Sequence, residues 1–590
     1  MLDIRVYRAA FLPALVAVFV AAFSLQDRPA PAAAPLTADA FDGVRALEAL
    51  DGLGQAFPDR RPGSAGDRAL ADRIATTLAR RDEVGRPGFD VRRTTSEGTR
   101  RDLGPVETVV GVRPGLSSRR IVVLASRDAP GAAGLTGTAA MLELARVLRA
   151  RETRKTLVLI STSGSTTGFT GASAWARDTP AGETDAVLVL GDLGGAESRR
   201  PWVVPWSNDG SPVPLTLQRT AEAAAREETG SQPGGAHATG QWARRAVPFT
   251  VSGQGVLRDA GLPAVLLGVS GERGAADDAA VRPRRLESFG RTALRTITAV
   301  DAAGEPFAEG PRGIVVMRNV LPDWAVRLLV MTLALPALLT ALDGFFRARR
   351  RRLPVGPWLG WLALAALPVV AAWAWTRLLG LAGGVDAPPA PVPVAVVALE
   401  RGGWAALASV AVVLAIFWYG VRPLLVRRLD LRGGPAAGSL AAATGLVLAL
   451  TVLAVWVLNP YAAALLVPAA HVWLFAAAPQ VRMRRWPGAL AVAAGLVLPV
   501  ALVIHYAVAL GTGPFDLAWL VLLAAASGSL GAPAALAAGA FAACLAGAVT
   551  AMRARRQVTE AAPEAPIRTR GPVGYAGPGS LGGTDSALRR

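Results

Sequence analysis

Six stretches in the second half of the chain, at 324–342, 357–379, 404–419, 439–458, 461–477 and 490–510, are almost wholly apolar. Each comes close to the roughly twenty residues that a helix needs to cross a bilayer. Inside lipid every backbone polar group must be bonded within the chain, so stretches of this kind fold as helices or not at all. Residues 10–25, behind Arg5 and Arg8, form a further apolar run and read as an uncleaved signal anchor leading into a Pro/Ala-rich linker over 26–37. The composition agrees, since 52% hydrophobic residues and a mean hydropathy of +0.37 over 590 residues exceed what soluble domains carry.

Net charge is +18, and Lys155 is the only lysine, so the basicity is carried by arginine. Those arginines gather at 347–352, 422–432, 482–485 and 553–556, beside apolar stretches. That placement points to orientation in a lipid bilayer, with the arginine-rich ends cytoplasmic, and not to a nucleic-acid partner. Alternation then requires 383–403 to lie outside. The last apolar region, 517–551, is too long for one ordinary span and has Gly528-Ser529-Leu530-Gly531 in its middle. It reads either as one span with a re-entrant piece or as two short spans. A single crossing gives about eight spans with both termini cytoplasmic. The lysine-poor, Arg/Ala/Pro-rich composition suits a bacterium with a GC-rich genome, and hence a plasma-membrane location.

Between the linker and residue 311 the pattern is different. Short apolar runs at 121–125, 156–161 and 186–190 alternate with helical patterns, which predicts βαβ units and a doubly wound, mainly parallel sheet. Residues 221–228 read as a helix and 229–240 as a Gly-rich loop. In open sheets of this kind a site sits beyond the carboxyl ends of the strands, here 126–134, 163–171 and 192–195. These loops hold Ser, Thr, Gly and Ala, with only Asp128 and Asp192 as acids. The expected organisation is therefore an anchor and linker at 1–37, an extracytoplasmic α/β domain at 38–311, a bundle of about seven spans at 312–552, and a disordered cytoplasmic tail at 553–590.

Over about 51–269 the sequence resembles the family-28 zinc metallopeptidases, the di-zinc aminopeptidase group. Arg60-Arg61-Pro62-Gly63-Ser64 before a helical segment, the strand at 107–112 and Gly261-Leu262-Pro263-Ala264-Val265 carry the likeness. The resemblance implies a di-zinc centre, but its functional positions carry over poorly. The first ligand histidine falls on Ser126, although the aspartate two residues on is present as Asp128. The bridging aspartate falls on Ala133 or Gly134, depending on a one-residue gap. The paired glutamates, general base and ligand, fall on Ser165 and Thr166. A ligand aspartate persists as Asp192, and the last histidine falls on Gln254. Zinc is held by His, Cys and carboxylate groups, so this set predicts no metal, no cofactor and no catalytic residue.

Other motifs have plainer explanations. Gly164-Ser165-Thr166-Thr167-Gly168 lacks the lysine and spacing of a phosphate loop and reads as a strand-to-helix turn. His471 and His505 fall in spans and are expected to bond neighbouring helices. A serine hydrolase built from Ser126 or Ser165 with His237 has nothing coupling its parts. Cys544 reads as a small buried hydrophobe. Asp128 and Asp192 are expected to cap helices or tie down loops.

The expected function is a non-enzymatic membrane protein whose peptidase-like domain binds a protein, peptide or lipid-linked partner within a complex. The domain order also resembles the non-peptidase subunit of glycosylphosphatidylinositol transamidase, by architecture alone. The alternative is an active membrane-anchored zinc aminopeptidase; a transporter is a weaker third, since the spans carry few charges.

Overall fold

The computed structural model describes residues 4–561 except 36–37, 99–103, 197–201, 212, 235–236, 275, 277, 305–306, 308–311, 430, 432–436, 479–480 and 482–484. Arg432, Arg482, Arg484 and the tail beyond 561 thus lie outside the described residues, and the last helix runs through Ala561.

Among the described residues ten strands occur in the order β1 (Gln26–Asp27), β2 (Asp90–Ser96), β3 (Val106–Arg113), β4 (Ser117–Ser126), β5 (Lys155–Thr162), β6 (Thr184–Leu190), β7 (Trp202–Val204), β8 (Ala264–Gly268), β9 (Gly313–Val316) and β10 (Asn319–Pro322). Seven of them form one sheet in the order β2-β3-β5-β4-β6-β8-β7. The four central strands β5, β4, β6 and β8 run parallel, while β2, β3 and β7 pair antiparallel at the edges. The expectation of a mainly parallel sheet is corrected to a mixed one. The parallel centre is where the sequence is continuously apolar, as strands covered on both faces must be. The edge strand β2 is polar, reading Asp-Val-Arg-Arg-Thr-Thr-Ser.

Alternation along the central strands divides them between two cores. Ile121, Val123, Leu157, Leu159, Leu188 and Leu267 face a layer of helices that includes Gly43–Ala56, Gly131–Arg149 and Pro283–Ala302. Val122, Leu124, Val158, Ile160, Val187, Val189 and Leu266 face the opposite layer, which contains Thr170–Arg177 and Gly253–Asp259. Val392, from a loop between two apolar helices, is buried in that second layer too. The helix at 215–229 is longer than the sequence pattern suggested, and the helix Ala238–Ala246 begins inside the predicted Gly-rich loop.

Among the described residues eight helices are long and apolar enough to cross a membrane: Ile4–Phe23, Asp323–Arg350, Gly356–Leu381, Arg401–Val426, Gly438–Leu458, Pro460–Ala477, Trp486–Leu510 and Ala532–Ala554. The ambiguous region at 517–551 resolves into the 14-residue helix Pro514–Ser527 followed by one long helix. Fourteen residues rise only about 21 Å, short of the roughly 30 Å hydrocarbon layer. His471 bonds Tyr7 of the first helix through Nδ1 at 2.8 Å and the Leu333 carbonyl through Nε2 at 2.9 Å, as a helix-to-helix tie should. His505 departs from that expectation, because its Nε2 is buried without a hydrogen-bond partner. Cys544 is buried.

The two regions are stitched together at several points. β1 follows the first apolar helix and β10 precedes the second, and they pair with each other beside β9. The linker is docked as well, with the Ala32 amide donating to Thr220 Oγ1 at 3.0 Å. Asn459 caps the helix Pro460–Ala477 with its Oδ1 while its Nδ2 donates to the Arg245 carbonyl at 2.7 Å. Arg273 donates to the Val508 carbonyl at 2.8 Å, where a helix C-terminus leaves acceptors open.

Candidate functional site

A cavity of about 130 Å³ lies beyond the carboxyl ends of β4, β5, β6 and β8, where the strand order places it. Of the positions singled out from sequence, Ser126, Gly134, Ser165, Thr166 and Asp192 line it, whereas Asp128, Ala133 and Gln254 do not. Of the two candidates for the bridging position, Gly134 lines the cavity and Ala133 is fully buried away from it. Even a Cβ at Gly134 would stand 2.9 Å from the Ala129 side chain, so an aspartate there requires the 129–131 turn to move.

The two aspartates serve their own loops. Asp128 Oδ2 accepts from Ser165 Oγ at 3.0 Å, from the Thr166 amide at 3.2 Å and from Thr166 Oγ1 at 3.3 Å. Its Oδ1 is buried without a partner, and burial raises its pKa above the ordinary carboxylate range. Asp192 Oδ1 accepts from the amides of Gly194 at 3.0 Å and Gly195 at 2.7 Å, and burial raises its pKa as well. Arg60, from the entry motif, donates to the carbonyls of Ala129 at 3.2 Å and Gly131 at 3.1 Å, fixing the turn that carries Asp128. The loop reading of both aspartates therefore holds.

This donor set does not fit zinc. The hydroxyls of Ser165 and Thr166 stand where ligands would be needed and both donate to Asp128 Oδ2, and neutral hydroxyls are poor zinc ligands. Among the described residues no three His, Cys, Asp or Glu side chains come together. His237 is exposed at the start of its helix and does not line the cavity, so the structure does not assemble a Ser-His pair there. The Gly164–Gly168 stretch is a tight strand-to-helix turn, with Gly164 at φ +85° and Gly168 at φ +89°.

The sequence reading missed Glu272, which lines the cavity from the loop after β8. It is buried and paired with Arg244, whose Nη1 lies 3.3 Å from Glu272 Oε1 and whose Nη2 bonds Oε2. Thr250 Oγ1 donates to Glu272 and accepts from Gln254 Nε2 at 3.0 Å, which ties Gln254 to the cavity only through this chain. Arg244 also stacks over Tyr506, on the apolar helix Trp486–Leu510, at 4.8 Å from the ring centre. A carboxylate in the loop after a fourth parallel strand was legible by the same rule that located the other loops. The roof of the cavity, Pro393, Ala395 and Val396, comes from between two apolar helices and had no such signal.

Asp128 gives a pH prediction. A carboxyl whose folded pKa is raised contributes stability that is fully present below its unfolded value and is lost as pH rises through the folded value. Asp128→Asn keeps an acceptor for Ser165 and Thr166 but cannot ionise. Relative to the wild type it should therefore gain stability as the pH rises from 4 to 8. Thermal unfolding at the two pH values checks this, and a constant difference between the proteins would show that Asp128 does not titrate in that window.

No family model and no curated protein matches the sequence. Among solved structures, the chain is similar to a Zn-dependent exopeptidase from Parabacteroides distasonis at 17% identity, over 44% of this chain and 98% of that one, with a TM-score of 0.35. It is similar to a glutaminyl cyclase from Bacteroides thetaiotaomicron bound to N-acetylhistamine at 17% identity, over 44% and 98% of the two chains, with a TM-score of 0.35. A zinc aminopeptidase from Bacillus subtilis matches at 14% identity, over 44% and 94%, with a TM-score of 0.33.

Proposed function

We propose that this chain is a multi-pass membrane protein whose α/β domain has exchanged peptide hydrolysis for binding, holding a protein, peptide or lipid-linked partner within a membrane complex. One observation carries the reading: the cleft positions that would bear metal chemistry are Ser126, Gly134, Ser165 and Thr166, and the neighbouring Asp128 is spent on hydrogen bonds to the last two. Loss of a general base alone costs on the order of a hundredfold to ten-thousandfold in rate. The purified full-length protein should therefore hold no stoichiometric zinc and release no N-terminal residue from peptides in added zinc. Zinc near one equivalent with chelator-sensitive turnover would promote the alternative, an active membrane-anchored aminopeptidase.

The proposed topology places both termini in the cytoplasm and the α/β domain outside the plasma membrane, with the first helix as an uncleaved anchor. It is supported by the fact that Asn459, Arg273 with Gly511, and the loop carrying Val392 all meet the α/β domain, whereas the arginine groups sit at the other helix ends. The helix Pro514–Ser527 would then dip in from the outer side, since Arg377, near the outer end of its own helix, bonds the Ala526 carbonyl. On a Cys544→Ala background, a cysteine at Asp386 should react with an impermeant thiol reagent in intact cells and one at Gly434 should not. The reverse labelling would refute the orientation.

A further inference from the structure

Residues 386–397, Asp-Ala-Pro-Pro-Ala-Pro-Val-Pro-Val-Ala-Val-Val, join the apolar helices Gly356–Leu381 and Arg401–Val426 and adopt neither helix nor strand. They lie in the cleft of the α/β domain as a bound peptide would. Val392 is 1% exposed and buried in one cluster with Val189 and Leu266 of the sheet and Phe169 from the turn before the helix Thr170–Arg177. Pro389 crosses Gly168 so closely that a Cβ there would stand 2.6 Å from Pro389 Cδ. Pro393 rests on Gly274, with its Cβ 3.6 Å from where a Cβ at Gly274 would be. Proline spacing restricts the free chain, so seating such a segment costs little entropy, and past Pro393 it turns back, with the Val396 amide donating to the Pro393 carbonyl at 3.0 Å and the Val397 amide to the Val394 carbonyl at 3.1 Å.

The fit is incomplete in an informative way. Pro393, Ala395 and Val396 form one wall of the 130 Å³ cavity, so the groove is wider than the segment in it. Close packing is the rule in interiors built to stay shut. The bundle also grips the segment from behind, through Trp519 Nε1 donating to the Val397 carbonyl at 2.9 Å. Trp519 belongs to the short helix Pro514–Ser527, so withdrawal of the segment would be felt inside the bundle.

We propose that the cleft is a receptor for proline-spaced valine segments, and that residues 386–397 are its resident occupant, exchangeable for a segment of the same chemistry from a partner protein. This rests on the cleft being a binding site and not a hydrolytic one, and it adds what the site binds and how binding reaches the membrane region.

The test uses the full-length protein on a Cys544→Ala background. With Gly274→Cys and Pro393→Cys, mild oxidation should close a disulfide, because Cβ positions 3.6 Å apart suit that bond. The probe is a fluorescent peptide with the sequence of residues 386–397, blocked at both ends. A separate variant, Val392→Asp, withdraws the resident anchor and should bind the probe at least about tenfold more tightly than the oxidised, locked protein, since it no longer competes with a tethered copy. Val392→Ser replaces it if the aspartate lowers the unfolding temperature of the whole chain. Absence of binding by either Val392 variant, or binding by them no tighter than by the locked protein or, should the left-handed φ of +75° at Gly274 keep the bond from closing, than by the unlocked parent, would overturn the proposal. None of these results bears on zinc content or hydrolysis, so the non-enzymatic reading is judged separately.

Discussion

Arg127→Met is expected to destabilise the protein by about 3–5 kcal/mol, the usual cost of stripping one partner from a buried ion pair. Arg127 follows Ser126 at the end of β4 and is fully buried. Its Nε lies 2.7 Å from Asp67 Oδ1, its Nη1 donates to the Ser161 carbonyl at 3.1 Å, and its Nη2 donates to the Glu107 carbonyl at 2.8 Å. One guanidinium thus joins β4, β5 and β3 to the helix Ala65–Ala79 directly beneath the cleft. Methionine fills much of the volume but leaves a buried carboxylate with the Gly63 amide as its remaining hydrogen bond, at 3.0 Å. Arg127→Lys should fail too, because an ammonium cannot reach three acceptors in a fork. Adding Asp67→Asn to Arg127→Met should recover part of the loss by removing the stranded charge. Thermal unfolding should show a fall on the order of 10 °C for Arg127→Met. A fall of only a degree or two would mean that water reaches Asp67 and that the pair is not sealed.

The central strands and the long apolar helices were legible because burial writes them into the sequence. Strands covered on both faces are uninterrupted apolar runs, as at 121–125 and 186–190, and membrane helices are longer versions of the same signal. The cleft was legible at Ser126, Ser165, Thr166 and Asp192, because loops after parallel strands line it wherever the fold is of this type. What could not be read depended on contacts between distant parts of the chain. β1 is two residues long and exists only because β10 arrives beside it from 292 residues later, with Gln26 opposite Val320 and Asp27 opposite Asn319. Val392 looks like a linker residue in a proline-rich loop, and nothing local says that a sheet hundreds of residues upstream will cover it. Arg244 and Tyr506 are each unremarkable in sequence, one on a short amphipathic helix and the other on an apolar one. Their stacking follows from docking one region on the other.

That docking yields the second large effect. Arg244 and Glu272 are 4% and 5% exposed at their side chains and form a pair between the cleft wall and the apolar helix carrying Tyr506. Arg244→Leu leaves the Glu272 carboxylate with Thr250 as its remaining donor, and Glu272→Leu leaves a guanidinium with the Phe249 carbonyl and the faces of Tyr506 and Trp206. Each single change strands a buried charge and should cost about 3–5 kcal/mol. The double change strands neither, because two leucines can fill the space without an ion to desolvate. Its cost should fall short of the sum of the singles by about 2–3 kcal/mol. Unfolding of the four proteins in one detergent measures this directly. The structure also dictates where the damage appears. Tyr506 bonds the Val247 carbonyl and packs edge-on against Phe249, so Arg244→Leu should loosen the segment 247–251 from its membrane helix and quicken proteolysis there. Glu272→Leu keeps the stacking of Arg244 on Tyr506 and should quicken it less. Additive single effects, with equal proteolysis in both variants, would mean that cleft wall and membrane helix are neighbours without being energetically joined.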